Sequence, residues 1–410
     1  MHPEQRSSRS RRPRIALYSH DAQGLGHIRR NLAIAGALSE LRPAPDILLV
    51  TGAPEAAGMR RPTGADVVVL PSLTKDDAGT YGPRHLAVPM TELTALRAAV
   101  IRAALRSFTP DLLIVDKHPR GFRRELEPAL DTLTAAGTKV VLGLRDVLDE
   151  PARARAEWDA DRSNEAIDRW YEGIWLYGDR QVHDPTTSLG LDEEARRKVV
   201  ATGYLAQRRP VGPEPMSSCT ARSQAERPYA LCLVGGGSDG ALLAEAFVRA
   251  PMPDGHSGVL ALGPQMPEAD RDRVRRVAAH NGRVRVCDFL PAVESWLDGA
   301  SAVTAMGGYN TVCETVARGK PFLVVPRVRP RTEQLIRAND LAAKGLLDTM
   351  HPDELRPERL GAWLAAAVRR PTRIHPGVDL DGLGRLPRLA TALVEDAIAG
   401  RTARETEHVA

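Results

Sequence analysis

The run Gly307-Gly308-Tyr309-Asn310-Thr311-Val312-Cys313-Glu314 sets two glycines between an apolar segment, Ala302 to Met306, and the start of a helix. That helix is predicted to reach Arg318 and stop at Gly319, before Lys320-Pro321 and a buried strand from Phe322 to Val325. Glycine tolerates positive φ and lets a ligand approach the backbone. A helix start offers amide N–H groups without intrahelical partners and a partial positive charge, which suits phosphate. Glu314, in the first turn by spacing, carries a carboxylate that can accept hydrogen bonds from a sugar diol. The chemistry implied is nucleotide binding. The plainer reading is a helix N-terminus with a stabilising acid.

Two more glycine loops follow apolar runs. Gly235-Gly236-Gly237-Ser238-Asp239-Gly240 comes after a strand predicted over Tyr229 to Val234. Gly24-Leu25-Gly26-His27 comes after one predicted over Arg14 to Ser19. This first loop lacks the third glycine of the dinucleotide fingerprint. The next strand, Asp46 to Thr51, closes with Thr51-Gly52 instead of an acid, so NAD is a weak reading.

The elements that must position these residues alternate. Strands are predicted at 14–19, 46–51, 66–70, 111–115, 139–144, 173–177 and 198–202. Helices are predicted at 28–41, 93–108, 126–136 and 151–171. A second series starts at Tyr229, with strands at 229–234, 258–262, 283–287 and 322–325. Its helices fall at 241–249, 267–280 and 332–344, around Trp363, and at 386–399. Short, continuous apolar strands alternating with helices predict an α/β fold with parallel, doubly wound sheets. Ligands of such sheets sit at the carboxyl ends of the strands. The loops carrying His27, Asp116 and Arg145 are therefore expected on one rim. Gln207 to Pro228 has four prolines and no periodicity, and is read as a linker. The expected division is a disordered leader (1–13), a first Rossmann-like domain (14–206), the linker (207–228) and a second Rossmann-like domain (229–400).

Composition narrows the partners. The net charge is +4, and only six of the 56 Lys+Arg residues are lysine. The arginines are interleaved with acids along the chain, so no nucleic-acid stripe is expected. Aromatics at 4% argue against a stacking platform for single strands. The leader has no apolar core, and no run approaches the length of a membrane span. The four cysteines form no C-x-x-C pair and signal neither zinc nor a disulfide framework, which points to a reducing cytoplasm. Peripheral contact with an anionic inner membrane face is left open.

Gly26-His27, the 235–241 loop, and Gly307 to Glu314 followed by Gly319-Lys320-Pro321 together resemble the GT-B glycosyltransferases. Among well-known families they are most similar to that of the lipid II-forming N-acetylglucosaminyltransferase. Tyr18-Ser19-His20-Asp21, Gly26 to Arg30 and Gly143-Leu144-Arg145-Asp146 resemble bacterial predicted glycosyltransferases of the same kind. The likeness spans roughly 14–348, and its C-terminal block is the more specific part. It implies two Rossmann-like domains facing each other across a cleft. A hexose-type sugar would move from a nucleoside-diphosphate donor, such as a UDP-sugar, to a small-molecule or lipid-linked acceptor, with inversion and without a cofactor. By position, Gly235, Gly236, Ser238 and Gly240 match the loop beside the diphosphate. Gly307, Gly308, Asn310 and Thr311 match the phosphate-facing turn, and Glu314 matches the acid on the donor ribose. Glu333-Gln334 matches the segment near the donor sugar. The chain departs from the pattern with Thr332-Glu333 where relatives carry Asp or His, and with Tyr309 where they carry a small residue.

Sugar transfer needs a base. His27 is the candidate, because an imidazole titrates near neutral pH, and Asp116 is the candidate to fix its tautomer. His27 as a helix cap or phosphate ligand, and Asp116 as an ordinary strand-end acid, are the plainer readings. His20 and His118 compete for the base role. Gly26, Arg30, Lys117 and Arg145 are the expected acceptor-side residues, with Arg29 and Arg120 nearby and solvated surface as the alternative. Asp159-x-Asp161 and Asp379-x-Asp381 read as surface, so no metal site is expected. The rival functions are a nucleotide-sugar epimerase of the same fold and a non-catalytic nucleotide-sugar-binding protein.

Overall fold

Leu112–Asp116, up to its closing aspartate, and Tyr229–Leu233 are apolar without alternation, and every residue in them is buried. Such strands need cover on both faces, which only helices flanking a parallel sheet supply. The computed structural model describes residues 11–21, 24–75, 81–206, 228–290, 292–373 and 376–409. All but the last residue of the expected linker, and residues 1–10 of the expected leader, lie outside them. Residues 11–13, also assigned to the leader, are tied down. Arg12 Nε donates to Ala44 O at 2.8 Å, and Asp46 N donates to Pro13 O at 2.8 Å.

The strands of the first half are β1 (Arg14–Ser19), β2 (Asp46–Thr51), β3 (Ala65–Val69), β4 (Leu73–Lys75), β5 (Tyr81–Pro83), β6 (Leu112–Asp116), β7 (Lys139–Arg145), β8 (Gly173–Tyr177) and β9 (Val199–Ala201). Seven form one parallel sheet in the order β3-β2-β1-β6-β7-β8-β9, and β4-β5 is a separate antiparallel pair. The second half supplies β10 (Tyr229–Leu233), β11 (Ser257–Ala261), β12 (Val284–Cys287), β13 (Ala300–Ala305), β14 (Phe322–Val324) and β15 (Asp348–Thr349). These form a second parallel sheet in the order β12-β11-β10-β13-β14-β15. Both orders reverse direction once, between β1 and β6 and between β10 and β13. The crevice at such a reversal is where doubly wound sheets bind ligands. The loop carrying His27 follows β1, and that of Lys117 follows β6. The loop 235–240 follows β10, and 307–308 follows β13.

Two expectations change. The stretch 151–171 is two helices, Pro151–Ala160 and Ser163–Trp170, because Arg162 between them is left-handed at φ +51°. The final helix, Gly382–Val409, belongs by contact to the first sheet and not to the second domain. Arg404 Nη1 donates to Ala135 O at 2.9 Å, and Arg401 pairs with the buried Asp111. Cys232 and Cys313 are buried. Among the described residues no helix is long and apolar enough to cross a membrane.

Candidate functional site

The helix Gly26–Leu38 opens without a capping side chain at its N-cap, Leu25. Asp21 does that work from seven residues upstream, accepting the Ile28 N–H at 3.1 Å on Oδ1. Its other oxygen receives the hydroxyls of Ser19 and Thr51. Strands β1 and β2 therefore fix the loop that presents His27, and sequence reading gave Asp21 no role. Its signal was an acid in a helix-entry loop whose N-cap is leucine.

His27 Nδ1 lies 2.8 Å from Asp116 Oδ2 at the end of β6. Arg30, one turn along the His27 helix, donates through Nη2 to both Asp116 oxygens, at 2.8 and 2.5 Å. Burial pushes the Asp116 carboxyl up, but Arg30 and His27 outweigh it and hold it well below the usual carboxylate range. An ionised carboxylate only accepts, so Nδ1–H donates to it and Nε2 is left as the basic nitrogen. The competitors differ. Burial, with nearby cationic and imidazole groups, holds both His20 and His118 well below the ordinary imidazole value. Their rings sit 4.8 Å apart, and that of His20 is 5.1 Å from His27.

Across from His27 stand the two glycine loops of the second lobe. Gly307 has φ +85°, and a Cβ there would meet Val324 Cγ1 at 2.6 Å, so the turn before the helix Tyr309–Val316 requires glycine. Gly237 has φ +93°, and its Cβ would meet Leu262 O at 2.2 Å. The loops and the first rim enclose a cavity of about 510 Å³. Of the expected residues, Gly26, His27, Arg30, Lys117, Arg145, Gly235, Gly236, Ser238, Gly307, Gly308, Asn310, Thr311, Glu333 and Gln334 line it. Three do not. Asp116 sits behind His27. Gly240 packs on Val234, where a Cβ would approach to 2.4 Å. Glu314 is buried at 1% side-chain exposure and accepts from Arg29 Nη2 at 2.7 Å. Helical phase turns Glu314 toward the opposite lobe, where its Oε1 makes an interlobe ion pair with Arg29. Asn310 also departs from a purely phosphate-facing role, donating across the gap to Gly26 O at 2.8 Å.

Tyr309, the residue out of pattern, has a structural reason. Its hydroxyl donates to Tyr177 O at 3.0 Å and accepts from Leu205 N at 3.1 Å. The guanidinium carbons of Arg30 and Arg337 each lie 5.6 Å from its ring centroid. Tyr309→Phe is expected to cost about 1–3 kcal/mol by leaving buried polar groups short of a bond. Urea unfolding measures it, and an unchanged midpoint would show the hydroxyl holds nothing.

Neither Asp-x-Asp pair lines the cavity. Asp159 pairs with Arg155, and Asp379 with Arg385. Among the described residues no group of three or more His, Cys, Asp or Glu is placed to hold a metal ion.

Residues 231–376 match the family model described as the glycosyltransferase family 28 C-terminal domain. The match takes in a little over a third of the 410 residues. The match covers the 235–240 and 307–311 loops of the cleft. A curated relative from Brucella anthropi is named UDP-N-acetylglucosamine--N-acetylmuramyl-(pentapeptide) pyrophosphoryl-undecaprenol N-acetylglucosamine transferase. It is 29% identical over 181 residues, 42% of this chain and 48% of the relative, so the chain spans about half that length. The enzyme of the same name from Solidesulfovibrio magneticus is 24% identical over 367 residues, covering 85% of this chain and 88% of the relative. Among solved structures, glycosyltransferase VinC in complex with DTDP aligns at TM-score 0.57 and 18% identity, over 94% of this chain and all of its own. MurG of Acinetobacter baumannii aligns at 0.52 and 14%, over 93% and 100%. A putative UDP-N-acetylglucosamine 2-epimerase from Listeria monocytogenes aligns at 0.60 and 10%, over 95% and 98%. At these identities the structures establish the fold. The described residues have the GT-B fold.

Proposed function

We propose that the chain is a glycosyltransferase that moves a hexose-type sugar from a nucleoside-diphosphate donor, a UDP-sugar first among them, to an acceptor hydroxyl. The observation that carries this is the His27–Asp116 hydrogen bond, held at the wall of the cavity opposite the glycine loops of the segment that matches family 28. In this reading the acceptor hydroxyl passes its proton to His27 Nε2 as its oxygen bonds to the anomeric carbon. The bond from that carbon to the diphosphate oxygen breaks, and its electron pair leaves with the diphosphate. One in-line displacement inverts the anomeric centre. Asp116 stays ionised and stabilises the imidazolium, as in other carboxylate-backed histidine bases. Backbone amides of the 235–237 and 307–309 turns meet the developing diphosphate charge, a role that needs no metal. The printed names of the relatives include an undecaprenol-linked acceptor. That supports a lipid-linked acceptor met from the cytoplasmic side by peripheral contact, with a small-molecule acceptor as the other candidate.

Nucleotide binding is testable by mass action. A nucleoside diphosphate present at 100 times its Kd is expected to stabilise the protein by about 2.7 kcal/mol, read as a raised melting temperature across a panel of bases. A panel with no response sinks the reading. The epimerase alternative draws support from the likeness to 2-epimerase structures at a TM-score of 0.60. It predicts an epimerised sugar without any acceptor, whereas transfer predicts a new glycoside and dependence on acceptor concentration.

A further inference from the structure

Two cations of the cleft have no task in the mechanism above. Lys117 follows β6 and Arg145 ends β7, adjacent parallel strands in which Asp116 is in register with Gly143. Both side chains line the cavity. Among the described residues neither makes an ion pair or a side-chain hydrogen bond, and Arg145 Nε is buried without a partner. The other cavity arginines that are not exposed each have a carboxylate. Arg29 has Glu314, Arg30 has Asp116, Arg327 has Asp239 and Glu333, Arg331 has Asp149 and Glu157, and Arg337 has Asp146.

The fold holds this pair against resistance. Burial and the nearby Arg145 and Arg331 push the Lys117 ammonium down to about 8, with Glu157 and Glu333 opposing. Both of those acids are already engaged, by Arg331 and Arg327. Burial, Arg30 and Arg337 push Arg145 down to about 10, with Glu333 and Asp116 opposing. The backbone at Lys117 is itself unfavourable. It has φ +70°, inside a three-residue turn closed by His118 N–H onto Asp116 O at 2.9 Å. That turn is rare and strained for a residue with a Cβ, and such outliers cluster at ligand sites. Nothing in the packing needs two neighbouring unpaired cations, one of them on a strained turn. A ligand of opposite charge gives them a function. His20 adds a neutral donor–acceptor ring to the same wall. It is 6% exposed, and its Nδ1 has no partner.

We infer that Lys117 and Arg145 form a subsite for an oxyanion, a phosphate or a carboxylate, carried by the acceptor. A planar guanidinium beside a compact ammonium is a strong donor set for such a group. Both cations stand on the His27 rim. Binding the acceptor by its charge therefore brings its hydroxyl to the base. The glycine loops of the opposite lobe remain for the donor diphosphate, so the cleft holds two anions at once. The word acceptor rests on the transfer reading. The anion subsite does not.

The test is calorimetry on the full chain with inorganic phosphate as probe, alone and with UDP or the best-binding nucleoside diphosphate at saturation. Wild type is expected to bind phosphate in both states. Lys117→Met and Arg145→Met are each expected to weaken it about 10–100-fold, as for loss of a charge-assisted hydrogen bond. Nucleoside diphosphate affinity is expected to change by less than about threefold. Lys117→Gly, which also relieves the turn, is expected to melt no lower than wild type and still to lose phosphate. Phosphate bound equally well by the variants overturns the proposal. So does one-for-one competition between phosphate and nucleoside diphosphate with both weakened alike, since the pair would then serve the donor. If no nucleoside diphosphate binds but phosphate binding still depends on the pair, the transfer reading fails and the anion subsite stands.

Discussion

With His27 replaced by alanine, sugar transfer is expected to fall about 10²–10⁴-fold, the usual contribution of a positioned general base. The loss belongs in kcat. The donor is expected to touch the 235–240 and 307–311 loops, which His27 does not support, so the donor KM holds. The fold is expected to tolerate the change. The imidazole is 17% exposed, and Asp116 keeps Arg30 as its counter-charge when the ring is gone. Asp116→Asn gives the contrasting result. It takes the counter-charge from a buried Arg30 and frees the imidazole tautomer, so turnover and melting temperature fall together. Kinetics with a responding donor, beside a melting curve for each variant, separates the two cases. Should His27→Ala keep kcat within about threefold of wild type, the base lies elsewhere on the rim and the mechanism goes with it.

The parallel sheets were legible because their strands are buried on both faces. Leu112 to Val115 and Tyr229 to Leu233 need no partner to be recognised as central strands. Once parallel sheets are granted, the carboxyl-end rule puts the residues after each strand on one rim, which is how His27, Asp116, Lys117 and Arg145 were found together. The β4-β5 pair was not read, since three-residue strands carry too little pattern. The return of the last helix was also invisible, because it rests on contacts such as Arg404 to Ala135, 269 residues apart. Within the site, Arg30 was assigned to the acceptor, and its hold on Asp116 was not read. Its place three residues after His27, on one helical face, was the available signal. Glu314 is the opposite case. Its position in the motif was plain, but nothing local reveals that Arg29 of the other lobe occupies it.

The second large effect concerns what holds the lobes together. Arg337 Nε lies 3.0 Å from both oxygens of Asp146, and its Nη2 lies 2.7 Å from one of them. Asp146 follows β7 of the first sheet, and Arg337 lies in the helix Glu333–Ala343 of the second lobe. The two side chains are 0% and 1% exposed. Burial disfavours the Arg337 charge, yet Asp146 more than offsets it and holds the guanidinium above its usual range. Asp146→Ala is therefore expected to destabilise the protein by about 3–5 kcal/mol, because it leaves a buried cation without its partner. Asp146→Leu with Arg337→Met removes both charges together and is expected to recover most of that loss, since well-packed apolar replacements of a buried ion pair are often neutral. The same double variant leaves His27, Asp116, Lys117 and Arg145 in place while loosening the geometric lock between the rims. Near-wild-type stability and unchanged nucleoside diphosphate affinity, with transfer reduced, would mean that this pair sets the lobe alignment. Equal stability losses in the single and double variants would show that Asp146 acts through packing and not through the charge it gives Arg337.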